Sequence, residues 1–157
     1  MKPLSIAFAC AITSVAFLGL AACGGEEEKP KGPAPGTLKA RANIDAAFKG
    51  KTSPFAGDAA KLAAAAEAGK KLFEDPIKCV NCHGPMGKGD GLGGKTYDPL
   101  PADLTDPTFH DAVGDDYIFW RITVGGVPAG SAMTAFPQYT DEEKWQLVAY
   151  VRTLKGK

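Results

Sequence analysis

The 157-residue chain has no net charge to steer a partner, since 18 Lys and Arg balance 18 Asp and Glu. A nucleic-acid-binding domain needs a basic stripe, and none is present. There is no apolar run of the ~20 residues a membrane-crossing helix requires. The run Leu4–Leu20 comes closest and falls short. No stretch alternates with period two, which leaves strands a minor role at most. Internal repeats are absent. Histidine is scarce at two and methionine at three, and the four cysteines are Cys10, Cys23, Cys79 and Cys82. The first two lie in the N-terminal leader region, so beyond it there is no cysteine framework for disulfides.

What is there begins with Cys79-Val80-Asn81-Cys82-His83. Two cysteines two residues apart, followed at once by histidine, form the attachment signal for covalent haem. Each thiol adds to one porphyrin vinyl group, and one tight turn of chain reaches both. The adjacent imidazole is then held under the iron. A thioredoxin-like redox pair would sit in a βαβ pattern, which is missing. A structural zinc site would need a second Cys/His pair, and no such pair is left. One motif implies one haem.

The leader has a single basic residue, Lys2, before its apolar run, and small residues after it. That is the form of a secretory signal, spanning residues 1–22. Leu20-Ala21-Ala22-Cys23 also resembles the bacterial lipoprotein cleavage box, which implies lipidation of Cys23; the alternative is ordinary cleavage near Ala22. Gly24 rather than aspartate follows, so no familiar inner-membrane retention signal is read. Residues 24–36 are charged and rich in Pro and Gly, a composition that buries too little to fold. The expected organisation is a signal peptide at 1–22, a lipidated flexible tether at 23–53, and one folded domain at 54–157. With Lys2 removed, the mature chain carries 17 basic and 18 acidic residues.

Three helices are expected in that domain. The first is capped by Asp58 and runs to about Glu74, with Leu62, Ala65, Ala66, Gly69, Leu72 and Phe73 on one stripe and Pro76 beyond its end. The second spans Asp115 to Val124, with Gly125-Gly126 ending it. The third opens on the capping box Thr140-Asp141-Glu142-Glu143 and turns Leu147, Val148, Tyr150, Val151 and Leu154 inward. The fold class is all-α.

With these elements the domain resembles a class I monohaem c-type cytochrome over nearly its whole length. The family pairs a glycine and a phenylalanine on its first helix with an aromatic on its last, matched here by Gly69, Phe73 and Tyr150. The spacing from Phe73 to Cys79 is about two residues longer than usual. The resemblance implies the cytochrome c fold, with three main helices and loops wrapped around one covalent haem c attached outside the cytoplasmic membrane. It implies a proline carbonyl holding the proximal histidine, and Pro99 and Pro101 both qualify. The methionine ligand would come from Gly130-Ser131-Ala132-Met133-Thr134-Ala135-Phe136-Pro137, where many relatives have proline after the methionine and this chain has Thr134.

Two strong axial ligands would make the iron a carrier; an open position would allow catalysis. Met86 is three residues from His83, a span of at most ~11 Å, too short to wrap the porphyrin comfortably. It is expected near the attachment loop or exposed. His110 follows a polar connection and is expected in a turn or at the surface. Met133 is therefore the expected partner of His83, a thioether that raises the potential. Trp120, Arg121 and Tyr97 are candidates to reach the haem propionates. The glycine-rich stretch 84–91 lacks a phosphate loop's Lys-Ser/Thr ending and is expected to be a flexible loop at the haem edge. Lys78, Lys88 and Lys95 are candidates for a docking patch there.

The expected function is single-electron transfer by a non-enzymatic, monomeric protein between a redox donor and acceptor. The expected setting is the periplasm, anchored to a bacterial membrane through lipid on Cys23, with no nucleic-acid partner. The alternatives are a five-coordinate haem protein with peroxidase-like or gas-binding activity, and a fixed haem subunit of a respiratory complex.

Overall fold

The computed structural model describes residues 43–157. The expected signal segment 1–22, the expected lipidation site Cys23 and the expected tether as far as residue 42 lie outside the described residues. Among the described residues there are five α-helices, two single turns of 3-10 helix and no strand, so the fold is all-α.

Helix α1 is Ala59–Phe73. It starts where the Asp58 carboxylate accepts hydrogen bonds from the backbone N–H groups of Ala60 and Lys61, at 3.1 and 3.0 Å. Those donors would otherwise have no partner at a helix start. Ala65, Ala66, Gly69 and Phe73 form its buried face. Leu62, expected on that stripe, is exposed and lies at the edge of a shallow groove beside Val148 and Ala149 of the last helix.

Helix α5, Asp141–Thr153, opens on the reciprocal capping box. The Glu143 N–H donates to the Thr140 hydroxyl at 3.2 Å, and the Thr140 N–H donates to the Glu143 carboxylate at 2.8 Å. Leu147, Val148, Tyr150, Val151 and Leu154 are all buried. Helices α1 and α5 cross so closely at Gly69 that a Cβ there would land on the Gln146 carbonyl. Beside the crossing, the Phe73 and Tyr150 rings pack at 5.2 Å between centroids. Helix α4, Asp115–Val124, runs between Gly114 and Gly125 and buries Tyr117, Ile118, Phe119, Trp120 and Ile122.

Two findings depart from the sequence expectation. A short helix α3, Pro107–Ala112, is capped by Asp106, whose carboxylate accepts from the Thr108 N–H at 2.8 Å. Part of the stretch expected as tether also packs on the domain. Ile44 and Phe48 pack on the core, and the Phe48 ring lies 6.2 Å from Phe119. The Gly50 N–H donates to Asp116 at 2.8 Å, and Lys51 lies over both rings. Two large apolar side chains four residues apart are enough to fasten this otherwise polar stretch.

Candidate functional site

The motif cysteines and histidine lie on helix α2, Cys79–His83. Positions three and four apart share one helix face, so Cys79, Cys82 and His83 project together. This helix has no fully buried residue, Cys79, Cys82 and His83 being partly buried, and it has no side-chain cap. Its carbonyls are satisfied by the glycine-rich loop that follows: the Gly89 N–H donates to His83 at 2.8 Å and the Gly91 N–H to Cys82 at 3.1 Å. The Gly91 Cα passes so near the Asn81 carbonyl that a side chain would not fit. The loop expected to be flexible is thus tied back onto the helix, and the Leu104 N–H donates to the Gly87 carbonyl at 2.7 Å.

Cys79, Cys82 and His83 line a cavity of about 290 Å³. Phe73 from α1, Ile118, Arg121 and Ile122 from α4, and Leu147 and Val151 from α5 complete its wall. Met133 lines the same cavity, carried by the loop between α4 and α5. That loop is braced by the Gly126 N–H, which donates to the Met133 carbonyl at 2.7 Å. Met86 is exposed and lies outside the wall. Of the proposed propionate contacts, Arg121 and Tyr97 reach the cavity, whereas Trp120 is buried away from it beside Tyr117.

The His83 Nδ1 lies 3.1 Å from the Ala102 carbonyl oxygen. As a donor to that carbonyl, Nδ1 carries the proton and Nε2 is left as the free lone pair. The acceptor is therefore Ala102, not Pro99 or Pro101. Both prolines line the cavity, but the chain turns its carbonyl toward the ring one residue after the second of them. Burial holds the His83 pKa below the ordinary imidazole value, which favours the neutral ring that metal ligation requires. Cys79 and Cys82 are free thiols. Burial pushes the Cys79 thiol up to about 11. A redox-active Cys-x-x-Cys pair works through a depressed thiol pKa, so this site has the opposite electrostatics.

The cavity fits a flat apolar group with acidic edges. Ile77, Tyr97 and Leu100 are large apolar side chains exposed to solvent, and all three stand on its wall. Arg121 is half-buried with neutral partners: its Nη2 donates to Ser131 Oγ at 2.7 Å and lies 4.0 Å from Met133 Sδ. No carboxylate pairs with it among the described residues, so it is available to a carboxylate on a ligand. Two thiols, an oriented imidazole and a thioether complete a donor set suited to haem c. The described residues contain no cluster of three or more His, Cys, Asp or Glu that would hold a separate metal ion.

His110 is not at the surface. It is buried on α3, with Nε2 2.7 Å from the Leu104 carbonyl oxygen, and it stays off the cavity wall. Among the three lysines suggested as a patch, Lys78 is already engaged, paired to Asp75 at 2.9 Å and lying over the Tyr139 ring.

Residues 64–151, more than half of the chain, match the family model described as cytochrome c oxidase, cbb3-type, subunit III. No curated protein matches the chain. A chain of the Kuenenia stuttgartiensis reducing HAO-like protein complex is similar at 31% identity, covering 59% of this chain and 44% of its own length, with a TM-score of 0.49. This chain therefore spans less than half the length of that one.

Proposed function

We propose a function from one premise: the chain belongs to the c-type cytochrome family described as cytochrome c oxidase, cbb3-type, subunit III, and is a haem protein of electron transfer. In our reading it is a class I monohaem electron carrier. Cys79 and Cys82 would hold the haem c through thioether bonds, with His83 and Met133 as the residues that would ligate its iron. The observation that carries this is the convergence of all four side chains on one cavity wall. When bound, the haem would supply one-electron redox chemistry between a reduced donor and an oxidised acceptor. The chain's part is to fix His83 through Ala102, to present the Met133 thioether from a braced loop, and to exclude water with Phe73, Ile118 and Leu147.

The expected secretory signal and the expected lipid site at Cys23 support a periplasmic protein anchored to a bacterial membrane through its N-terminal tether. Its partners are then a redox donor and a redox acceptor met at that surface.

Absorption spectroscopy of the ferric protein tests the ligation. The weak near-red band of sulfur-ligated iron is expected in the wild type and lost in Met133→Ala. A high-spin wild-type spectrum would overturn Met133 ligation in favour of a five-coordinate, substrate-binding haem. The family description favours a second reading, a haem subunit resident in a respiratory complex. Co-purification with larger subunits from detergent-solubilised membranes would select it, and recovery of the protein alone would select the carrier.

A further inference from the structure

The carbonyl that holds His83 belongs to a four-residue strap, Ala102 to Thr105, and other parts of the fold grip that strap too. At its middle, the Leu104 N–H donates to Gly87 at 2.7 Å, and at its end the Thr105 carbonyl accepts from the Gly156 N–H at 2.8 Å. The remaining grip is a side chain. His110 Nε2 lies 2.7 Å from the Leu104 carbonyl oxygen, two residues along from the one that binds His83. The other ring nitrogen of His110, Nδ1, is 3.3 Å from Arg152 Nη1. A guanidinium can only donate. Nδ1 must therefore accept, and the ring proton is fixed on Nε2, pointing at Leu104. Arg152 is itself held by Asp115 at 2.7 Å, the Val113 carbonyl at 2.8 Å and the His110 carbonyl at 3.1 Å. The tautomer of a residue outside the cavity is thus set by a chain of contacts that ends at the strap.

We propose that His110 is a positioning residue for the proximal ligand, holding the Leu104 carbonyl so that its neighbour at Ala102 keeps its hydrogen bond to His83. This rests on the reading of His83 as the iron's proximal ligand. A carbonyl that accepts from a ligating imidazole raises the basicity of the ring, and a more basic ligand favours ferric iron. Loosening the strap weakens that hydrogen bond and raises the reduction potential.

Two variants of the haem-loaded protein separate positioning from simple packing. A glutamine amide nitrogen falls near the place of Nε2 and keeps the donor to Leu104. An asparagine side chain reaches only the place of Nδ1, keeping the contact with Arg152 and losing Leu104. His110→Gln is expected to hold the wild-type potential. His110→Asn is expected to shift it upward, a several-fold change in the ferrous-to-ferric ratio at fixed poise, with faster solvent exchange of the His83 Nδ1 proton in the ferrous form. Equal potentials and equal exchange in the two variants would overturn the proposal. So would the reverse ranking, which assigns His110 to tying α3 to α5 through Arg152. Recovery of both variants only as unfolded chain would assign it to the fold alone. A wild type that carries no haem would instead remove the reading of the site, before any variant is compared.

Discussion

At the scale of single residues, the place of the His110 ring biases it toward its neutral form. Burial is the larger cause that lowers its pKa, the Leu104 carbonyl opposes it, and the positive Arg152 and Lys155 lower it further against Asp111. Asp115 faces the same network through its pair with Arg152. In the unfolded chain the ring returns to about 6.5. Above that pH neither state is protonated and the full contribution is present. As pH falls below it, the unfolded state takes up a proton that the folded state refuses, so stability drops until the lowered folded pKa is reached. Urea unfolding of the haem-loaded protein between about pH 7.5 and pH 5 is expected to show this loss, with a shallower slope in His110→Gln. An unchanged slope in that variant would place the acid sensitivity elsewhere.

Among the elements, the crossing of α1 and α5 has the least tolerance. Replacing a helical glycine with alanine gains up to about 1 kcal/mol of helix propensity. At Gly69 the added methyl meets a backbone carbonyl, which cannot rotate away as a side chain can. Overpacking of this kind costs about 1–3 kcal/mol or more, so Gly69→Ala is expected to lower stability by about 2 kcal/mol net. The urea midpoint reads the change. This crossing was legible in the sequence because Gly69, Phe73 and Tyr150 sit on helices with strong signals of their own: an Asp58 cap, alanine-rich periodicity and a capping box. Helix α3 was not read, since six residues give no period to count, although Asp106-Pro107 is itself a start signal. The acceptor for His83 was narrowed only to a proline-rich loop. Which carbonyl turns toward the ring depends on the path of residues 99–102, and side-chain types do not encode that path. His110 looked superficial because its partners are a carbonyl six residues away and an arginine 42 residues away.

For the molecule as a whole, the described fold already includes the Ile44–Lys51 segment ahead of α1. Phe48 is half-buried against Phe119, which itself stacks on Trp145 at 4.3 Å. Full burial of such a side chain is worth about 1.5–3 kcal/mol, so Phe48→Ala is expected to cost about 1–2 kcal/mol in thermal or urea unfolding. The haem absorption bands should stay unchanged, because Phe48 and Phe119 are absent from the cavity wall. A shifted spectrum would mean that the segment and the site are mechanically joined.

That arrangement decides where a pull would be felt. Tension arriving from the N-terminal side lands on Ile44, the Phe48 ring and the Gly50 N–H held by Asp116, a mooring set apart from Cys79, Cys82 and His83. A load reaching the domain from that side meets this mooring before it meets the cavity wall.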